Sequence, residues 1–241
     1  MKVSLVVPAF NEEKLISSSL ASIQRSAQSF RDLKWDVELI VCDNNSTDRT
    51  AELARGAGAT VVFEPINQIG RARNSGAAAA TGQWLIFIDA DSHPNAELFC
   101  DVAAAIQRGG LLAGGSTVNI EGPYPVAKLI TGAWNILSRL RKWAPGSFIF
   151  CERAAFQKVG GFNEELFASE EIELFQKFHK LAKEQGRRIV ILHRHPLITS
   201  ARKMHLYSRR EHLRFLTRTV LGFGRALRSR EECFTWYDGR R

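Results

Sequence analysis

Asp89, Ala90 and Asp91 close the apolar run QWLIFIDADS and place two carboxylates two residues apart. On an extended chain such residues point the same way. Trp84-Leu85-Ile86-Phe87-Ile88, just before them, has the length and uninterrupted apolar character of a buried strand. At the C-terminal edge of a buried parallel strand, the pair falls where open α/β sheets bind ligands. Hard oxygen ligands at that edge suit a divalent cation, Mg²⁺ or Mn²⁺, and such an ion can hold a diphosphate. A polar turn ending a strand carries the same residues, so the pair takes its meaning from its surroundings.

A second carboxylate pair, Glu170 and Glu171, opens a helical pattern that runs to about Gln185. Glu171 falls on one helical face with Leu174, Phe175 and Phe178. A carboxylate on an apolar stripe is costly unless it is paired or used. Desolvation raises its pKa, which suits a general base that takes a proton from a hydroxyl. Glu173 instead shares a face with Gln176, Lys177 and Lys180, a solvated side. The competing reading of Glu171 is a first-turn carboxylate favoured by the helix dipole.

The elements that must position these groups alternate. Val3 to Val7, Val37 to Val41, Thr60 to Phe63 and Trp84 to Ile88 read as strands. Between them lie three helical patterns. Asn11 is placed to cap a helix carrying Ile16, Leu20, Ile23 and Ala27 on one face, and Ser46 or Thr47 to cap a helix through about Arg55. Gly70 to Ala80 is Ala-rich and helical, and Leu98, Phe99, Val102 and Ile106 mark a helix after the aspartates. This order predicts a doubly wound, mostly parallel sheet with helices on both faces.

After Gly109-Gly110 the pattern loosens. Leu111 to Ile120 reads as one or two strands, and Pro123 and Pro125 introduce a helix to about Trp143. PGSFIF gives a turn and a short strand, and a short helix spans about Arg153 to Val159 before Gly160-Gly161 breaks the chain. Ile189 to Leu192 is a further strand, and about Arg209 to Arg228 reads as a basic helix. One domain over 1–241 is expected, with a nucleotide-facing stretch at 1–110, an acceptor-facing stretch at 111–205 and a basic helical segment at 206–241.

In a doubly wound sheet the polar strand ends converge on one crevice. Those ends are Pro8-Ala9-Phe10-Asn11-Glu12, Asp43-Asn44-Asn45 and Asp89-Ala90-Asp91. Asp43 can accept an N–H from a base edge, and Glu12 a ribose hydroxyl. Gly70 and Gly76 permit close backbone approach, and Arg71 and Arg73 offer guanidinium forks for phosphate oxygens. No G-x-x-x-x-G-K-[ST] and no G-x-G-x-x-G after the first strand is present, which argues against a Walker loop and a dinucleotide fold.

The net charge of +8 favours anionic partners. The basic residues are spread along helices with no nucleic-acid motif, so nucleic-acid binding is not expected. Cys42, Cys100, Cys151 and Cys233 form no C-x-x-C pair, so reduced thiols in a cytoplasmic protein are expected. No run of about 20 apolar residues predicts a membrane span. Two amphipathic basic stretches remain. Val126, Ile130, Ala133, Leu137 and Leu140 form one stripe, with Lys128, Arg139, Arg141 and Lys142 beside it. Leu213, Leu216, Val220, Phe223 and Leu227 form another. Both suit either packing on the domain or peripheral contact with the inner face of an anionic membrane.

Four segments in order, SLVVPAFNEE, ELIVCDNNSTDRTAELA, GRARNSGAAAATGQWLIFIDAD and GSFIFCERAAFQKVGGFNEELFASEEIELFQKF, resemble the family 2 glycosyltransferases, which have the GT-A fold. The resemblance runs from about Val3 to Phe178, with a fainter echo at LITSARK. It implies a nucleotide-diphosphate sugar donor, a divalent cation and transfer with inversion to an acceptor hydroxyl, lipid-linked or soluble. By that resemblance Asp43 contacts the base, and Pro8, Ala9 and Glu12 border the nucleoside. Arg73 and Asn74 lie near the donor, Asp89 and Ala90 beside the ribose or sugar, and Asp91 on the metal. Gly160-Gly161-Phe162-Asn163 forms the acceptor-side wall. A histidine often completes the metal site, and His193, His195 and His205 are available, with His205 preferred. The family usually carries Glu-Asp where this chain has Glu170-Glu171, and the longer side chain changes the reach of the base. Glu171 is the expected base, with Glu170 as its partner. Two other classes stay open: a sugar-phosphate nucleotidyltransferase, and a non-catalytic nucleotide-sugar-binding or membrane-associated protein.

Overall fold

A computed structural model describes residues 1–200, 225–233 and 237. Its eight strands form one sheet in the order β3-β2-β1-β4-β7-β6-β8-β5. β1 (Lys2–Ala9), β2 (Asp36–Asp43), β3 (Thr60–Phe63) and β4 (Trp84–Ile88) are the parallel core of that sheet. The second stretch of chain extends it with mixed pairing. β7 (Phe148–Glu152) runs antiparallel to β4, β6 (Leu111–Ile120) antiparallel to β7, and β8 (Arg188–Thr199) parallel to β6. The two-residue β5 (Ser92–His93) pairs antiparallel with β8. Leu111 to Ile120 is thus one strand, and the strand expected at Ile189 to Leu192 continues to Thr199.

Two apolar layers cover the sheet. One side carries α1 (Ile16–Ser26), α2 (Gln28–Asp32) and α5 (Ala96–Gln107), with Leu20, Phe30, Phe99 and Val102 in the buried cluster. The other carries α4 (Ile69–Ala79), α7 (Arg153–Lys158) and α8 (Glu170–Gln185), with Phe87, Phe156, Phe162, Phe175 and Phe178. The strands are apolar on both faces because helices cover both. Gly76 lets α4 sit against β1: a Cβ there would lie 2.5 Å from Val6 Cγ1.

Two expected helix starts differ. Asn11 does not cap α1, which begins at Ile16 with Leu15 at its N-cap. Asn11 adopts a left-handed φ of 52° and its Oδ1 accepts the Thr47 N–H at 2.8 Å. Ser46 and Thr47 start no helix either. α3 spans Thr50–Gly56, and Asp48 Oδ1 accepts the Thr50 N–H at 2.9 Å. The polar residues after β1 and β2 satisfy each other across the strand ends, and those links compete with helix capping. α6 (Pro125–Arg141) lies on β6 and β8. The expected helix over Arg209 to Arg228 lies mostly outside the described residues, and Arg225–Arg228 is a short 3₁₀ turn.

Candidate active site

The sheet reverses its winding at β1, which has β2 on one side and β4 on the other. Ligand crevices of open α/β sheets form outside the carboxyl ends of strands at such a point. A cleft of about 60 Å³ opens there, lined by Pro8, Ala9, Glu12, Asn44, Asp89 and Asp91 among others. Ala90 and Tyr237 also line it. Six sequence-predicted residues, Pro8, Ala9, Glu12, Asp89, Ala90 and Asp91, therefore meet in one place. Asp43 does not line it. Asp43 is buried, and its Oδ1 accepts the Ser46 N–H at 3.1 Å.

The segment carrying the aspartates is held from two directions. On one side, buried α1 serines reach across: Ser19 Oγ donates to the Ser92 carbonyl at 2.8 Å, and Ser22 and Ser26 both donate to the Pro94 carbonyl at 2.9 Å. On the other, the Ser200 N–H donates to the Asp91 carbonyl at 3.2 Å. Buried hydroxyls with partners offset their own desolvation and fix the backbone they bind.

Arg73 is the centre of the polar interior. It is 1% exposed. Its Nη1 donates to Glu170 Oε1 at 2.5 Å, and its Nη2 donates to Asp89 Oδ1 at 3.0 Å and to the Gly146 carbonyl at 2.9 Å. The guanidinium also sits 5.2 Å from the centre of the Phe162 ring. Burial works against its charge, but Asp89, Glu170 and Glu171 outweigh burial and keep it protonated. The resemblance places Arg73 near the donor. Here it lies behind Asp89 rather than in the cleft wall, and ties α4, the β4 end and the α8 N-terminus together.

Asn74, also expected near the donor, has a different task. Its Nδ2 donates to the Phe162 carbonyl at 2.9 Å, and its Oδ1 accepts the Phe162 N–H at 3.0 Å. It therefore pins the Gly160-Gly161-Phe162 turn. Gly161 has φ +68°, and a Cβ there would meet Asn74 Oδ1 at 2.7 Å. Gln68 adds two links to the same loop, donating to the Glu164 and Leu166 carbonyls at 2.8 and 2.7 Å.

The two glutamates divide differently from the helical-face reading. Glu170 is the buried member, 3% exposed, and lies on the inner row of α8 with Leu174 and Phe178. Glu171 is half-buried beside it. Burial first, then the charge of Glu170, push the Glu171 carboxyl up to about 8. Glu173, expected on a solvated face, is partly exposed and pairs with Lys177 at 3.4 Å.

The donor set at Asp89 and Asp91 fits Mg²⁺ or Mn²⁺, which take one or two carboxylates and leave positions for phosphate oxygens. Among the described residues no group of three histidine, cysteine or acidic side chains is placed to hold a metal. His205 lies outside the described residues. His195 Nδ1 is 3.0 Å from Asp101 Oδ2, away from the cleft, and His193 lines a separate hollow with Arg108 and Arg188. Cys42, Cys151 and Cys233 are poor nucleophiles, since burial before all else pushes their thiols up.

Asn44 and Tyr237 are cleft residues the sequence reading did not single out. Asn44 Nδ2 donates to the Ile66 carbonyl at 2.6 Å, and its Oδ1 accepts the Gln68 N–H at 2.8 Å. Its place beside Asp43 at a strand end was the available signal. Tyr237 Oη accepts the Ile69 N–H at 3.2 Å and donates to the Phe167 carbonyl at 3.0 Å. No local signal connects a residue so far along the chain to this cleft.

Parallel strands 3-2-1-4 with paired aspartates beyond β4, extended by an antiparallel β7, define the GT-A class of fold. Solved structures bear this out. Staphylococcus aureus TarS in complex with UDP-GlcNAc is similar with a TM-score of 0.63 and 23% identity, covering 98% of this chain and 69% of that one. The Pyrobaculum calidifontis mannosyltransferase in complex with GDP-Man and Mn²⁺ has a TM-score of 0.65 at 21% identity, covering 94% and 64%. The glycosyl transferase family 2 profile matches residues 4–164, more than half of the sequence, and the chain belongs to that family. An uncharacterized glycosyltransferase of Mycobacterium tuberculosis is 33% identical over 144 residues, 58% of this chain and 61% of that protein. The chain thus spans about three fifths of the length of that relative.

Proposed function

We propose that this protein transfers a sugar from a nucleoside-diphosphate sugar to an acceptor hydroxyl, with inversion and with the help of a divalent cation. The observation that carries the reading is the Asp89–Asp91 pair at the cleft, with Asp89 joined through Arg73 to Glu170 at the start of α8. Pro8, Ala9, Glu12 and Asn44 border the nucleoside, and Asp91 with Asp89 would hold the cation. When bound, such an ion offsets the charge gathering on the departing diphosphate. Arg73 fixes the Asp89 carboxylate and, through Glu170, the start of α8. Asn74 fixes the acceptor-side turn.

Glu171 takes the proton from the acceptor hydroxyl as that oxygen attacks the anomeric carbon. A base with a pKa near the working pH balances being deprotonated against proton affinity, and a value of about 8 meets that condition. Attack from the side opposite the leaving group inverts the centre. The cleft of about 60 Å³ is small for a nucleotide sugar, since ligand pockets run to roughly 300 Å³ or more.

The test begins with thermal shifts against a panel of nucleotide sugars, with and without Mn²⁺. One donor should stabilise the fold by mass action, and more so with the ion. Asp91→Ala should abolish the ion-dependent part and lower transfer by about a hundredfold or more. Full transfer by that variant sinks the assignment. Pyrophosphate release from a nucleoside triphosphate would instead point to a nucleotidyltransferase.

A further inference from the structure

Among the described residues, helix α6 is unlike every other long helix. Of its seventeen residues only Ala127 and Ser138 are buried. Its large apolar side chains face outward: Leu140 is 77% exposed, Leu129 75%, Ile136 63%, Ile130 62% and Val126 60%. At 3.6 residues per turn these residues share one side with Ala133 and Leu137, opposite Ala127 and Ser138. The helix is anchored by that opposite side. Asn135 Nδ2 donates to the Val118 carbonyl at 2.8 Å, and its Oδ1 accepts the Val118 N–H at 3.1 Å. The apolar stripe is therefore presented away from the sheet.

Charge decides what fits it. Residues 125–142 contain Lys128, Arg139, Arg141 and Lys142 and no acidic residue. Lys128 and Arg139 border one edge of the stripe and Arg141 the other. Tyr124, Trp134 and Trp143 lie at or near the flanks, with Arg141 stacked 5.7 Å from the Trp143 ring. An apolar face rimmed by cations and aromatic rings matches the boundary of an anionic bilayer, where tails take the stripe and headgroups take the rim. A second copy of the helix would set four positive charges against four, so self-pairing is disfavoured.

We infer that the outward face of α6 docks this protein flat on an anionic lipid surface. The helix ends at the turn whose Gly146 carbonyl accepts from Arg73, so the docked side is the acceptor-facing stretch of the chain.

Sedimentation of the full chain with vesicles tests this without any measurement of transfer. Vesicles of phosphatidylcholine with phosphatidylglycerol should carry the protein down, pure phosphatidylcholine vesicles should not, and added salt should release it. A Leu129→Glu/Leu140→Glu variant should bind such vesicles about tenfold or more weakly. Both positions are exposed, so its circular dichroism and thermal unfolding should match the parent. The inference fails if the parent stays in the supernatant or if the double variant binds as well as the parent. It also fails if light scattering shows a dimer that the double variant dissolves, because a second copy then covers the face.

Discussion

Helices α5 and α6 both follow a β-strand and both carry an apolar stripe, yet they bury very different amounts of it. α5 puts Leu98, Phe99, Val102, Ala103, Ala105 and Ile106 inside, and Phe99 stacks on Phe30 with ring centres 5.0 Å apart. Asn95 caps it, accepting the Leu98 N–H at 2.7 Å. α6 has no side-chain cap and keeps its stripe in solvent. The same contrast separates the two stretches of chain. Up to Gly110, many polar residues are clamped to neighbouring backbone and most apolar ones are covered, with Phe63 and Ile66 left exposed. Beyond it, the sheet extension carries a helix that offers its apolar face outward. Amphipathic pattern alone does not say whether a stripe is core or contact surface, because the answer depends on what the rest of the chain places over it.

The strongest way to probe the covered side is to remove its central cation. Arg73→Ala leaves Glu170 buried without its partner and should cost about 3–5 kcal/mol, read by urea unfolding. Retained stability would mean that water or another cation reaches Glu170. A direct comparison of the two helices comes next. Leu98→Ala in α5 should cost about 2–5 kcal/mol through the cavity it leaves. Leu129→Ala in α6 should change stability by no more than about 0.5 kcal/mol. Equal costs would show that α6 is covered in solution.

The subtlest test is pH. The Glu171 carboxyl sits at about 8 in the fold, above its ordinary value of 4.5. The folded state therefore holds a proton that the unfolded chain releases earlier. Stability from this group is complete below about 4.5 and is lost as pH rises toward about 8. Glu171→Gln should remove that loss, so the variant gains on the parent between pH about 5 and 9 in urea titrations. The same change should abolish transfer, and the parent's rate should climb through about 8 as the base deprotonates.

Much of the site was legible in local pattern. The apolar run ending in Asp89-Ala90-Asp91 is a strand with its carboxylates at the cleft, and the strand ends at Pro8, Ala9 and Glu12 meet it there. These features depend on residues adjacent in sequence, where periodicity and strand direction suffice. Arg73 and Asn74 were legible as polar residues on a helix but not as what they bind. The ion pair of Arg73 with Glu170 spans 97 residues, and no spacing rule reaches that far.

What the sequence alone determined is the alternation of strands and helices, the position of the aspartates at a strand end and the charge of the α6 flanks. Only the tertiary structure decided that Glu170 is the more deeply buried of the two glutamates, that Asn74 pins a turn, that α1 serines hold the aspartate segment, and that the α6 stripe faces out. Secondary structure follows from short-range periodicity. Which face is covered, and which charge meets which, is settled by how distant segments pack when the sheet closes.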